Sequence, residues 1–171
     1  EVRSLGRIAD VLQVDVGNAA SRSSFTQRCC KSGAVDAIVN NAGVDLLTGA
    51  MKEADFTTKL KALLDIDVTG TIELSRSFGE HFQLQGHGCI LNIGWDQSDR
   101  GMEGNSGELF AAAKNAIMGF TRSLSVSLAP TVRANCIAPG WIKTAWGEET
   151  SDYWQQRVMQ ETPLKRWGLP Q

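Results

Sequence analysis

Short apolar runs, each closed by a polar or glycine-bearing turn and separated by stretches long enough for helices, constrain this chain most. Three are Asp36-Ala37-Ile38-Val39, Gly88-Cys89-Ile90-Leu91-Asn92-Ile93 and Val132 to Ile137. A fourth, Val11-Leu12-Gln13-Val14-Asp15, reads as a short strand ahead of them. Their nearly unbroken apolarity suits strands buried on both faces. The intervening stretches are too long for hairpins and read as helical crossovers. Asn18 is placed to cap a helix running to about Cys30. Residues 53–83 carry Leu60, Leu63, Leu64, Ile72 and Phe78 at helical spacing, with Gly70 marking a close backbone approach. Residues 109–128 carry Ala113, Ile117, Phe120 and Leu124 on one side, with Pro130 just beyond. A polar loop covers residues 96–107, and residues 152–160 show a short helical pattern in a Trp-rich tail. Alternating strands and crossovers imply a parallel sheet with helices on both faces.

In such a sheet ligands bind beyond the carboxyl ends of the strands. The loops after Val14, Val39, Ile93 and Ile137 should therefore share one rim. They carry Asp15, the turn Asn40-Asn41-Ala42-Gly43, Trp95 and the turn Pro139-Gly140.

Composition narrows the partners. The chain has 171 residues, suited to one domain spanning 1–171. Its 17 basic and 19 acidic residues leave a charge of −2, which attracts neither nucleic acid nor an anionic membrane. No apolar run approaches the roughly 20 residues of a membrane helix. Glu1-Val2-Arg3-Ser4 does not read as a signal peptide. Among the cysteines, Cys29 and Cys30 are neighbours that rarely bridge, and Cys89 and Cys136 read as buried thiols. No pair has the spacing of a zinc or redox site, so no metal is expected and a cytoplasmic setting fits. His81 and His87 read as solvent-facing.

The order and spacing of Asp15-Val16, Asn40-Asn41-Ala42-Gly43, the Lys114 helix and the segment from Asn135 to Thr144 resemble the landmarks of short-chain dehydrogenases/reductases. Pro163 to Gly168 fits the same pattern, and the nearest likeness is to the 3-oxoacyl-carrier-protein reductase group. The resemblance covers nearly the whole chain. It implies a Rossmann-like doubly wound parallel sheet and NAD- or NADP-dependent oxidoreduction of a small carbonyl or alcohol substrate. By that resemblance Asp15 and Val16 face the adenine, although Asp15 reads equally well as a helix-entry residue beside Asn18. The Asn40-Asn41-Ala42-Gly43 turn is chiefly structural, its amides tying strands together, while its small residues at Asn41, Ala42 and Gly43 let the cofactor approach the backbone. Pro139, Gly140, Ile142 and Thr144 hold the nicotinamide, and Lys114 holds the ribose.

At the reaction centre the chain departs from the family. The family's proton-donating tyrosine lies four residues before its lysine, one helical turn away. Here that residue is Phe110, within an otherwise intact Ala111-Ala112-Ala113-Lys114 context. The family serine corresponds to Trp95, whose indole donates a single hydrogen bond and should fill the space a carbonyl needs. The family asparagine corresponds to Asp67, which brings a negative charge. These substitutions lead us to expect a catalytically impaired homologue, a pseudoenzyme. The alternatives are an active enzyme that draws its proton from Ser98, Tyr153 or water, and a non-catalytic partner subunit. Tyr153 reads more simply as a packing aromatic beside Trp154. By resemblance the helices at 53–83 and 109–128 pack between subunits, as a homo-oligomer (dimer or tetramer) or a hetero-oligomer with a paralogue.

The sequence contains no glycine-rich phosphate loop. We therefore expect an incomplete fold that lacks the first βαβ half and the last strand. A segment of this kind offers the pyrophosphate no helix N-terminus and should not bind a dinucleotide tightly alone.

Overall fold

The computed structural model describes residues 2–47 and 49–170. Glu1 and Gln171, the ends of the expected domain, lie outside the described residues. The elements in order are a 3-10 turn (Arg3–Leu5), α1 (Ala19–Ser32), β1 (Ala37–Asn40), the one-turn α2 (Gly49–Lys52), α3 (Phe56–Leu63), a π-helical segment (Leu64–Gly70), α4 (Thr71–Gln85), β2 (Gly88–Ile93), a second 3-10 turn (Asp96–Asp99), α5 (Asn105–Leu128), β3 (Val132–Ile137), α6 (Ala145–Glu149) and α7 (Asp152–Glu161). The strands form one parallel sheet in the order β1-β2-β3. No helix among the described residues is long and apolar enough to cross a membrane.

Local chemistry sets most of the boundaries. Asn18 caps α1 by accepting from the Ser21 amide at 2.9 Å. Asp55 caps α3 by accepting from the Thr58 amide at 2.9 Å, so that helix begins after residue 55 rather than at 53. The expected long helix is not continuous: seven residues between α3 and α4 widen into π geometry. At the end of that segment Gly70 meets the carbonyl of Val16, where an added Cβ would lie 2.8 Å from the oxygen. The close approach expected there is present.

The helices that pack on the strands, α4 and α5, lie on one face of the sheet. Phe78, Phe82 and Leu74 of α4 and Leu124 and Leu128 of α5 enclose Ile90, Val132 and Ala134, with Ile38 alongside. On the other face Val39 is 57% and Ile137 50% exposed. The expectation of helices on both faces is therefore corrected for the described residues. Both crossovers step in the same direction across the sheet, and same-handed connections made in one direction land on the same face.

A second correction concerns residues 11–15, which form no strand. Val11 is 88% exposed, and no described strand pairs with the segment. Without a partner its backbone groups turn to water and to local bonds. Examples are Gly17 N–H to Asp15 Oδ1 at 2.9 Å and Asp15 N–H to Ser21 Oγ at 3.0 Å. Cys89 and Cys136 are half-buried rather than buried, and all four cysteines are free thiols. His87 is exposed and 3.2 Å from Asp36, whereas His81 is half-buried with its Nε2 shielded from solvent.

Candidate active site

The floor of the site is a buried polar network. Asn40, at the end of β1, donates to Asn92 Oδ1 of β2 at 2.8 Å and to Ser75 Oγ of α4 at 2.9 Å. Asn92 in turn donates to Thr121 Oγ1 of α5 at 2.9 Å. These bonds satisfy amides that would be costly to bury alone, and they fix the strand ends against both helices. Above them the rim is stitched by Gly94 N–H to the Ile137 carbonyl at 2.7 Å and by Asp96 N–H to the Pro139 carbonyl at 3.2 Å. Gly94 has no room for a side chain: a Cβ would lie 2.8 Å from Met118 and 3.0 Å from the Cys136 sulfur.

The π-helical segment carries Asp67 into this rim. Asp67 is 1% exposed. Its Oδ1 accepts from the Val44 amide and its Oδ2 from Lys114 Nζ, each at 2.8 Å. Gly43 makes this possible, since a Cβ there would stand 3.0 Å from the carboxylate. The charge expected to face the substrate is thus turned inward and neutralised by Lys114. One turn before Lys114, Phe110 meets Trp95 edge to face, with ring centroids 6.1 Å apart. Neither ring carries a hydroxyl.

These residues border a cavity of about 740 Å³. Trp95 lines the cavity with its ring set edge to face against Phe110. Pro139 and Gly140 border the same space as Lys114. Asn41, Ala42 and Val16 line a separate hollow with Leu12 and Val14. Asp15 and Thr144 are exposed, and Ile142 pairs its backbone with Gly168. Ser98 does not line the cavity; its Oγ is buried, and its carbonyl accepts from Asn115 Nδ2 at 2.8 Å. Tyr153 lines the mouth at 58% exposure, 5.5 Å from the Trp154 ring, so it does pack beside that tryptophan.

One wall was not anticipated. Trp141, Trp154 and Arg157 from the tail line the cavity, as do Leu47 and Met102. Trp141 lies 5.7 Å from Trp154 and 6.1 Å from Trp167, centroid to centroid. Its indole N–H donates to Glu161 Oε2 at 3.0 Å. Arg157 lies over Trp154 at 5.2 Å and donates to Glu161 Oε1 at 2.6 Å. The bond to Glu161 raises the guanidinium pKa above its ordinary value. A backbone bond from Gly168 N–H to the Trp141 carbonyl, 2.8 Å, ties the tail to the Pro139 loop. The only hints of this wall in the sequence are the Trp-rich tail and the Arg157/Glu161 spacing of four. Burial of Asp96 beneath Gly140 pushes its carboxyl above the usual range.

A cavity at the carboxyl rim of a parallel sheet is the ligand position of open α/β folds. Residues 2–171 match the sequence family described as enoyl-(acyl carrier protein) reductase. The chain belongs to the short-chain dehydrogenase/reductase family of NAD(P)-dependent oxidoreductases. It is 28% identical to a 3-oxoacyl-acyl-carrier-protein reductase of Rickettsia felis, aligning over 100% of this chain and 70% of that relative. It shares 26% identity and a TM-score of 0.84 with a short-chain alcohol dehydrogenase structure from Sinorhizobium meliloti, covering 98% of this chain and 67% of the other. A tyrosine-to-phenylalanine variant of ElxO with NADPH bound is 26% identical, with a TM-score of 0.80, covering 94% of this chain and 65% of that one. The chain thus spans about two thirds of these proteins.

Proposed function

We propose that this chain is a catalytically impaired member of its family that keeps a ligand cavity and has lost the proton donor of the reaction. The observation that carries this is the pairing at the centre. Phe110 stands one turn before Lys114, its ring held by Trp95, while Lys114 is committed to the buried Asp67. A positioned acid is worth roughly 10²- to 10⁴-fold in rate, and an oxyanion donor a similar factor. Because such groups act as a unit, the two losses overlap rather than multiply.

The small residues Gly94, Pro139 and Gly140 beside Lys114 leave room for a nicotinamide. NAD or NADP, when bound, supplies the hydride. Pro139 and Gly140 would flank the ring, and Asn41, Ala42 and Gly43 would offer backbone to the rest of the cofactor. Retention of NADPH by the tyrosine-to-phenylalanine ElxO variant is consistent with binding that outlasts the loss of a phenol. The test is nicotinamide turnover by the purified protein over a panel of carbonyls and alcohols. We expect no turnover above the uncatalysed rate; robust reduction would overturn the proposal.

A second reading follows from Tyr153, the one phenol in the cavity wall, with its hydroxyl 3.3 Å from Arg157 Nη1. On that reading Tyr153 supplies the proton. Any measured turnover should then disappear in Tyr153→Phe, and a rate unchanged by that substitution rules this route out.

A further inference from the structure

The cavity is lined by aromatic rings and by cations that already have partners. Among the described residues, five aromatic rings line it: Trp95 and Phe110 from the sheet rim and α5, and Trp141, Trp154 and Tyr153 from the tail. Among the same residues, the two cations that line it are each paired with a carboxylate. Lys114 is held by Asp67 at 2.8 Å. Arg157 is held by Glu161 at 2.6 Å, with Glu103 a further 3.9 Å contact. Glu161 also takes the Trp141 N–H, so one carboxylate serves both the ring and the cation. An anionic ligand would share these cations with the carboxylates they already serve and meet like-charge repulsion in a partly buried site. A flat uncharged ring meets π faces and edges instead, at about 0.5–1.5 kcal/mol per aromatic pair beyond simple burial. The volume, about 740 Å³, lies within the roughly 300–1,000 Å³ range of small-molecule sites.

We infer that this cavity selects an uncharged, planar aromatic ligand, packed among the rings of Trp95, Phe110, Trp141 and Trp154, and that Glu161 sets the preference against anions. The inference builds on the ligand-cavity reading above but does not require the absence of turnover. Its test is therefore independent: titration calorimetry of the unsubstituted protein with β-naphthol, its carboxylate counterpart β-naphthoate, and the saturated decahydronaphthol.

We expect β-naphthol to bind at least about tenfold more tightly than either of the others, a difference of about 1.4 kcal/mol. Trp141→Leu should weaken β-naphthol about three- to tenfold. Glu161→Gln, which can accept only one of the two hydrogen bonds and frees the Arg157 charge, should raise the affinity for β-naphthoate about tenfold. Should Trp141→Leu fail to fold, the comparison of the three probes on the unsubstituted protein still decides the matter. The inference is overturned if β-naphthol does not bind, if decahydronaphthol or β-naphthoate binds as tightly, or if Glu161→Gln leaves the naphthoate affinity where it was. A protein that reduces carbonyls yet prefers β-naphthol would refute the impaired reading alone. An inactive protein that ignores β-naphthol would refute the aromatic inference alone.

Discussion

Lys114 and Asp67 decide the energetics of the site. With Asp67 1% exposed, Lys114→Met would leave a buried carboxylate with only the Val44 amide for support. Removing one partner of a buried pair costs about 3–5 kcal/mol, and we expect a loss of that size in denaturant unfolding. Asp67→Asn combined with Lys114→Met should recover more than half of it, because no unpaired charge remains. Asp96 gives a pH signature. Burial raises its folded-state pKa, so the folded protein holds a proton the unfolded chain has released, and stability falls as pH rises through that interval. Asp96→Asn should therefore melt at a higher temperature than the parent at neutral pH, with the gain vanishing below the unfolded carboxylate range. The identities at positions 67, 95 and 110 were legible in the sequence as departures from the family pattern. Their consequence was not, because neither the inward turn of Asp67 nor the edge-to-face seat of Trp95 has a sequence signature.

At the scale of elements, caps and strand ends were readable because they depend on a few neighbouring residues. Asn18 and the runs at 88–93 and 132–137 became the cap of α1, β2 and β3 as expected. The break between α3 and α4 was not readable, since helical periodicity drifts only slightly across one wide turn. π-helical turns gather at functional sites, and this one delivers Asp67 and Gly70. The Asp55 cap offers a simple check. Its bonds to Thr58 lower the carboxyl pKa, so its contribution is present above the unfolded-state pKa and disappears as pH falls through the folded value. Asp55→Ala should lower the melting temperature at neutral pH and remove this acid-side dependence; Asp55→Asn should remove the dependence while keeping most of the cap.

Across the whole molecule, the parallel order of the strands followed from sequence, whereas the faces they present did not. Apolar runs report how buried a strand is expected to be, and they carry no information on which crossover lands where. The Val11 segment shows the same limit: a β-prone run becomes a strand only when another backbone is there to pair with it. The tail was the least legible part of the site, because three tryptophans spread over residues 141–167 meet only after the chain folds back through Gly168.

The central claim is that hydride chemistry fails here for want of a hydroxyl beside Lys114. Its most direct test compares nicotinamide turnover, in protein shown by calorimetry to bind the cofactor, between the unsubstituted form and the triple variant Phe110→Tyr, Trp95→Ser, Asp67→Asn. The account predicts no turnover in the first and a gain of about 10²-fold or more in the second. Equal rates in the two, with the unsubstituted protein already turning over, would contradict it.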